Sequence, residues 1–523
     1  EQYADQTVHT YVYDIHDNKT EMADANTNVS TCQYDLLNRL TRKDIAPGPG
    51  VSSDTTFEVY KYDGLSRLVH AQDNDSLVTR SHNSLSNVTR ETLNGQSTLS
   101  VYDGLENMVS STYPGGRIIT STFDELERKK MVTDQAGLIA TYDYVGPERI
   151  TRRQYGNGTQ TDFAYDGITG IPNAPGDHGV RRIIGTTHSK IADGSLIDDR
   201  TYAWDQMYNK TQRKDVRLGG PELTHDYTYD DVYRLVHSTA TEPGGANPGE
   251  MAYELDGVGN REEVTTDGVP GVYFMDPQSP PADFPVNQYS DTAFDHRTYD
   301  ENGNLIRQVT SGDSDGDGDV DLFDFEDFLD CITPPGGLAS EECRVFDCNH
   351  DGDVDFADFG WLQEVYTGPD GQLPAAEMIY DYRNQMVEYR DTQSGVLSTY
   401  AYDASGRRIV RVVDADGDPQ ETRYFYDGVQ VIEEQNDLGT TLTTYIGSTM
   451  VPWLWFMMTR GVEDFYYYKD DLGNVMAIGD AKGAVVERYE YEDYGQTSLF
   501  DGQGQPIEQS AIGNKYAYRS MRF

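Results

Sequence analysis

At 523 residues the chain is long enough for a substantial core or several, yet only 37% of it is hydrophobic, while glycine and tyrosine reach 50 and 38 residues. Burial must then rest on aromatic rings and turns rather than on leucine-rich helices, which predicts an all-β chain. The formal charge of −48 repels nucleic acid phosphates and anionic membrane surfaces and favours cations as partners, and no apolar run reaches the roughly 18 residues of a membrane span.

The first residues, "EQYADQTVHTYVYD", hold no basic-then-apolar leader, so any secretion signal is expected to have been removed or to lie outside this chain. Over residues 1–310 the chain repeats itself. Tyr-Asp occurs eleven times in the full sequence, with Asp at 14, 35, 63, 103, 143, 166, 230, 300, 381, 403 and 427. Chance pairing of so many tyrosines and acids gives fewer than about seven. "YKYDGLSRLVHA", "YTYDDVYRLVHS", "RTYDENGNLIRQ" and "YAYDASGRRIVR" share one form: aromatic-x-Tyr-Asp, two or three turn residues, an apolar residue and a polar tail. "STFDELERKKMV", "YAWDQMYNKTQR" and "YELDGVGNREEV" are degenerate copies, and "HNSLSNVTRE" is a decayed one. The form predicts a strand, a tight turn and a returning strand. Rings of Tyr-x-Tyr share one face at period two, the Asp accepts backbone N–H bonds, and Gly or Asn supplies positive φ. One such hairpin is marginal, whereas stacked copies cover one another's edges and bury an aromatic ladder.

Residues 311–370 differ in kind, with eighteen acids against the single Arg344 from Ser311 to Asp370. Counting from Asp313, oxygen-bearing residues fall at positions 1, 3, 5, 7, 9 and 12 of a loop: Asp313, Asp315, Asp317, Asp319, Asp321 and Asp324, with Gly318 at the sharp turn and Val320 at position 8. The arrangement recurs with Asp347, Asn349, Asp351, Asp353, Asp355 and Asp358, Gly352 and Val354. Such spacing converges oxygens on a hard cation, which predicts two Ca2+ ions. A helix is expected after each loop, with Leu322, Phe325, Phe328 and Leu329 on one apolar face and Phe356, Phe359, Leu362 and Tyr366 on the other. The segment resembles a dockerin-type paired EF-hand, in which Asp at position 12 is usual and for which the resemblance implies a cohesin as partner. Its two ends are expected to emerge from one hairpin loop. Cys331 and Cys343 flank a "TPPGG" turn and either form a disulfide or remain buried thiols; Cys32 stands alone and Cys348 lies in the second acidic loop.

Residues 371–523 return to the repeat. "MVPWLWFMM", Met450 to Met458, reads as a buried strand, with a contact patch as the alternative. "YYYKDDLGNVMAIGDAKGAVVERYEYEDYGQ" and "AIGNKYAYRSMRF", with the repeats before them, resemble the YD-repeat, or Rhs, family. That resemblance implies a spiralling β-sheet that wraps into a shell, often around a toxin or other polypeptide cargo. The chain stops at Phe523, before the family's Asp-Pro and Gly-Leu core motif, where self-cleavage and cargo attachment are expected; no autoproteolytic residue is assigned.

No catalytic set is evident. "GDSDG" matches a nucleophile elbow in letters only, because Ser314 falls inside an acidic loop rather than between strand and helix. The ten histidines form no metal-protease pattern, and no phosphate loop occurs. The expected function is that of an extracellular or cell-surface structural repeat protein, calcium-stabilised, self-associating into a shell, spiral or fibre, with a polypeptide cargo. The alternatives are an adhesin or scaffold docking a cohesin-type partner or glycan through the acidic module, and a polysaccharide hydrolase whose paired carboxylates so acidic a sequence would hide.

Overall fold

In the computed structural model, residues 2, 7–147, 149–166, 182–217, 220, 222–245, 249–275, 288–290, 292, 295–309, 320, 322–334, 339, 343, 346–347, 353–366, 375–392, 394–415, 417–447 and 455–518 are described. Among them strands dominate, joined by two ten-residue helices, α1 (Leu322–Cys331) and α2 (Phe356–Val365). The fold is the all-β, antiparallel hairpin array expected from the tyrosine-rich, glycine-rich composition.

Many of the hairpins are closed by an Asx turn. At Asp63 the backbone N–H of Arg67 donates to the Asp63 carboxylate at 3.0 Å, as does that of Leu65 at 2.9 Å, while the Arg67 Nε reaches the other oxygen at 2.6 Å. The same three bonds close the turns at Asp35, Asp230 and, with asparagine four residues on, at Asp103. The third residue after the Asp takes positive φ, and it is often neither Gly nor Asn: Ser66, Glu106, Glu127, Tyr208 and Tyr233 all do so. The left-handed conformation costs such residues about 1 kcal/mol, which the carboxylate offsets by holding two backbone donors. Register slips by one residue at the mouth of most of these turns, Lys61 facing His70 while Tyr62 faces Leu68, so a bulge twists the hairpin.

The tyrosine before the Asp has a task that its sequence position did not announce. Its ring is half-buried rather than stacked in a closed ladder, and its hydroxyl donates to a main-chain carbonyl of the preceding hairpin. Tyr34 reaches Lys19, Tyr62 reaches Leu40, Tyr229 reaches Lys210, Tyr402 reaches Met386 and Tyr491, which stands before Glu492, reaches Val475, at 2.7 to 3.0 Å. In every case the acceptor is the fifth residue after the preceding turn's Asp. Arg39, already held by Asp35, lies over the Tyr62 ring at 4.7 Å. Consecutive repeats are thus latched one to the next.

Three of the eleven Tyr-Asp pairs depart from the expected turn. Asp143 sits inside the strand Gly137–Val145, Asp427 closes a two-residue turn onto Gln430, and the Asp166 N–H bonds the distant Arg182 carbonyl. None has Asn, Arg or Gln four residues later to complete the turn. The degenerate copies at Asn83, Asp124, Asp205 and Asp256 do, and all four form it.

The chain divides into two compact units, residues 1–79 with 251–422, and residues 80–250 with 423–523. In the first, hairpins from Thr10 to Gln72 pair in sequence order, as do those from His296 to Asp414. Their turns interlock: Asn26 Nδ2 donates to Asp300 at 2.8 Å and Asn302 Nδ2 to Asp24 at 2.9 Å. Fully buried Glu58 pairs with Lys43 and Arg383. In the second unit one core joins Tyr142, Tyr155, Ile139 and Val132 to Phe456, Met457, Tyr466 and Tyr468. The Tyr155 ring meets those of Tyr466 and Tyr468 edge-on, 5.8 and 6.0 Å between centroids. Strand Trp455–Arg460 is buried from Trp455 to Met458, as read from the apolar run; Met450 to Leu454 lie outside the described residues.

Candidate functional site

The acidic segment enters after the strand Leu305–Val309 and returns in the strand Ala375–Tyr380, and these two are direct antiparallel neighbours, Val309 facing Ala375. Both ends therefore issue from one hairpin. Val309 and Ala375 share a core with Val320, Phe328, Phe346, Val354 and Leu362, so the module packs onto its own root.

Inside the module the sequence duplication becomes a structural one. Val320 and Val354, at position 8 of the two loops, are both fully buried; Asp324 and Asp358, at position 12, fall in the first turns of α1 and α2 and are likewise buried; Phe328 and Leu362 follow one helical turn later in the core. Thr333, just beyond α1, is tied to Val354 by two hydrogen bonds: its N–H donates to the Val354 carbonyl at 2.9 Å, and the Val354 N–H donates to its side-chain Oγ1 at 3.1 Å. Cys331 and Cys343 form a disulfide, closing the stretch after α1.

The helix faces differ from the expectation. Phe325, Phe328, Phe359 and Leu362 turn inward, the Phe325 and Phe359 rings 5.6 Å apart, but Leu322, Leu329, Phe356 and Tyr366 are exposed. Ten-residue helices held at one end by buried position-12 carboxylates present only the side near Asp324 and Asp358 to the core, which leaves the opposite apolar residues in water.

Of the twelve expected ligands, Asp324, Asp347, Asp353, Asp355 and Asp358 are among the described residues; Asp313, Asp315, Asp317, Asp319, Asp321, Asn349 and Asp351 lie outside them. In the second loop one carboxylate oxygen from each of Asp353, Asp355 and Asp358 lies within 4.8 Å of the others. Asp358 Oδ2 also accepts the Asp355 N–H at 2.7 Å, fixing the helix start against the loop. The donors are all hard carboxylate oxygens, and a segment with one arginine has little side-chain charge with which to balance buried acids. Such a set suits Ca2+.

One arrangement elsewhere has the look of a nucleophile and base. Thr161 Oγ1 lies 2.7 Å from His188 Nδ1, and His188 Nε2 lies 3.0 Å from the Lys469 carbonyl. A carbonyl accepts only, so Nε2 carries the proton and Thr161 donates to Nδ1. Both side chains are buried, and burial pushes the His188 pKa down to about 4. With both side chains about 1% exposed, the pair is a hydrogen bond of the core.

Comparison with known proteins adds the following. Residues 380–419 match the family model described as RHS Repeat. Over 130 residues, 24% of the chain, the sequence is 25% identical to the tRNA3(Ser)-specific nuclease WapA of Bacillus spizizenii and to the tRNA nuclease WapA of Bacillus subtilis, a stretch amounting to 5% of each relative. Among solved structures, 98% of the chain aligns with TcdB2-TccC3-TEV at a TM-score of 0.63 and 15% identity, and 98% with the Photorhabdus luminescens Tc holotoxin pore at 0.61 and 13%. The chain spans 25% and 24% of those two chains. These likenesses show the fold. Among the described residues no helix is long and apolar enough to cross a membrane.

Proposed function

We propose that this chain is a wall segment of a β-hairpin shell, spiral or fibre outside the cell or on its surface, stiffened by two calcium ions and enclosing or presenting a polypeptide cargo. The observation that supports the structural part most directly is the repeated tyrosine latch, because at these five places it joins a hairpin to the one before it and nothing in it limits the number of repeats. The fold likeness to TcdB2-TccC3 over 98% of the chain supports the same reading. The Cys331–Cys343 disulfide favours an oxidising compartment, where free calcium is also plentiful.

Calcium would be held in the first loop by Asp313, Asp315, Asp317, Asp319, Asp321 and Asp324, and in the second by Asp347, Asn349, Asp351, Asp353, Asp355 and Asp358. Its part is to neutralise the module's repulsion and fix α1 and α2. Electron microscopy of the purified protein with calcium tests the structural reading: closed particles or end-to-end filaments are expected, and dispersed single copies at every concentration would reject it.

A second reading is favoured by one observation. Phe323 and Phe356 are 67% and 83% exposed on the module, beside exposed Leu322 and Leu329. An adhesin or scaffold docking a cohesin-type partner would use such a face. Binding to a purified cohesin, lost on Phe356→Ser and on calcium removal, would decide for it.

A further inference from the structure

In the second unit a cavity of about 710 Å³ opens among the strands Ile183–Lys190, Lys210–Arg217, Val485–Tyr491 and Thr497–Asp501. Its charged lining is Lys190, Arg217, Arg488 and Glu490, three cations to one carboxylate in a chain with a large negative excess. Leu196 and Phe500 supply an apolar wall.

Among the described residues the cations at the cavity are met by carboxylates only in part. Glu490 is taken by Arg217, through Nη1. The other carboxylate whose charge acts on Arg488, Asp198, is hydrogen-bonded through Oδ1 to Arg200 Nε at 2.9 Å, and its Oδ2 has no hydrogen-bond partner among the described residues. Arg488 itself is 7% exposed, and its hydrogen bond among the described residues is from Nη1 to the Ile197 carbonyl at 3.3 Å. Among the described residues Arg217 Nε is also buried without an acceptor. Burial, and further the nearby Arg217 charge, push the Arg488 pKa down, while Asp198 and Glu490 oppose this. A guanidinium kept from water beside a second one is costly unless an anion arrives from outside.

We propose that this cavity binds a small organic carboxylate with an apolar body, its carboxylate on the Arg488 guanidinium and its body against Phe500 and Leu196. A planar guanidinium matches a carboxylate in two parallel hydrogen bonds, and the volume is that of ordinary small-ligand sites. The same chemistry is offered by a free acid and by the terminal carboxylate of a peptide ending in an aromatic residue.

Calorimetric titration of the intact chain tests this with four probes: phenylacetate, a tripeptide ending in phenylalanine with a free carboxylate, the same peptide amidated, and inorganic phosphate. Saturable binding of phenylacetate, of the free-carboxylate peptide, or of both is expected, with the amidated peptide and phosphate about tenfold weaker or more. Phenylacetate alone would assign a free acid, and the free peptide alone a chain terminus. Arg488→Gln should lose about tenfold or more, and Lys190→Gln, at a half-exposed position, about threefold with melting unchanged. If Arg488→Gln does not fold, Arg488→Lys, which keeps the charge and loses the paired geometry, should still weaken binding severalfold. No saturable binding by either carboxylate probe at about 10 mM, equal binding of phosphate, or a folded Arg488 variant with unchanged affinity would overturn the proposal.

Discussion

The Tyr380 hydroxyl donates to the Leu305 carbonyl at 2.9 Å, although the whole acidic module lies between them in the chain. The latch that joins neighbouring hairpins therefore passes beneath the insertion as though it were absent. Val309 facing Ala375 says the same of the strand ladder. Tyr380→Phe leaves a part-buried carbonyl without its donor and should cost about 1 kcal/mol in urea unfolding. Replacing 311–373 by a short glycine-rich turn should preserve the β-sheet circular dichroism spectrum. A collapse of that spectrum would mean the module, not the latch, holds the two strands together.

The turn aspartates make the same hydrogen bonds in different surroundings, which separates what the bond contributes from what burial adds. Asp403 and Arg407 pair at 2.7 Å almost out of contact with water, whereas Asp63 and Arg67 form the same pair near the surface. Asp403→Ala should cost about 3 kcal/mol or more, because a buried guanidinium loses its counter-charge. Asp63→Ala should fall well short of that. The Arg67 hydrogen bond, with the backbone donors, holds the Asp63 carboxyl down to about 2, so its contribution is present above the ordinary carboxylate range and is lost progressively as pH falls from there through about 2. Equal melting shifts for the two variants would remove burial as the deciding factor.

These turns also show what the sequence could and could not disclose. The Tyr-Asp pair marks a strand end, but at these pairs the turn goes with Asn, Arg or Gln four positions on, which Asp143, Asp166 and Asp427 lack; Asp480, outside the pairs, closes the same backbone turn onto Ala484. Reading Asp-x-x-x-Asn/Arg/Gln would have sorted them from Asp63 and Asp403 and picked out Asp124, Asp205 and Asp256 directly. The duplication of the acidic segment was legible because loop spacing is local, and Val320 with Val354 and Asp324 with Asp358 take matching buried places. The tyrosine latch was not, because its acceptor is a backbone carbonyl, which every residue owns. Nor was the cavity at Arg488, formed by strands some 270 residues apart in the chain, Lys210–Arg217 and Val485–Tyr491. Leu322 and Phe356 were expected inside because helical periodicity gives a stripe but not which edge of it the core can reach.

Two buried groups should pull pH dependence in opposite directions. Burial, with the Arg200 and Arg153 charges adding to it against Asp198 and the Lys469 carbonyl, puts the His188 pKa at about 4. The unfolded chain then takes up the proton first, so stability from this group is complete above about 6.5 and falls by roughly 3 kcal/mol as pH drops to 4. Burial raises Asp73 to about 6 against the Ser76 and Asp75 hydrogen bonds. Here the folded state binds the proton more tightly, so stability is greatest below the ordinary carboxylate pKa and declines as pH rises through 6. His188→Gln should flatten the acid limb of a melting-temperature profile, and Asp73→Asn should raise melting at pH 7.5 but not at pH 4. A profile unchanged by either substitution would show that neither proton is coupled to folding.

The paired loops make the calcium proposal quantitative. Asp324 and Asp358 occupy the same place in successive repeats, both buried in the first turn of a helix, so each should be needed for one ion. Direct titration should give two ions for the intact chain, one for Asp358→Ala, one for Asp324→Ala and none for the double variant. Chelation should expose backbone amides of α1 and α2 to hydrogen exchange while leaving the strands Leu305–Val309 and Ala375–Tyr380 protected, because their ladder and the Tyr380 latch do not involve the loops. The Cys331–Cys343 bond limits how far the apo module can open, so reduction should deepen the effect of chelation rather than reproduce it. If α1 and α2 keep full protection without the ion, the carboxylates at Asp353, Asp355 and Asp358 must be balanced from within the protein, and the module would be a rigid acidic knob instead of a metal-folded one.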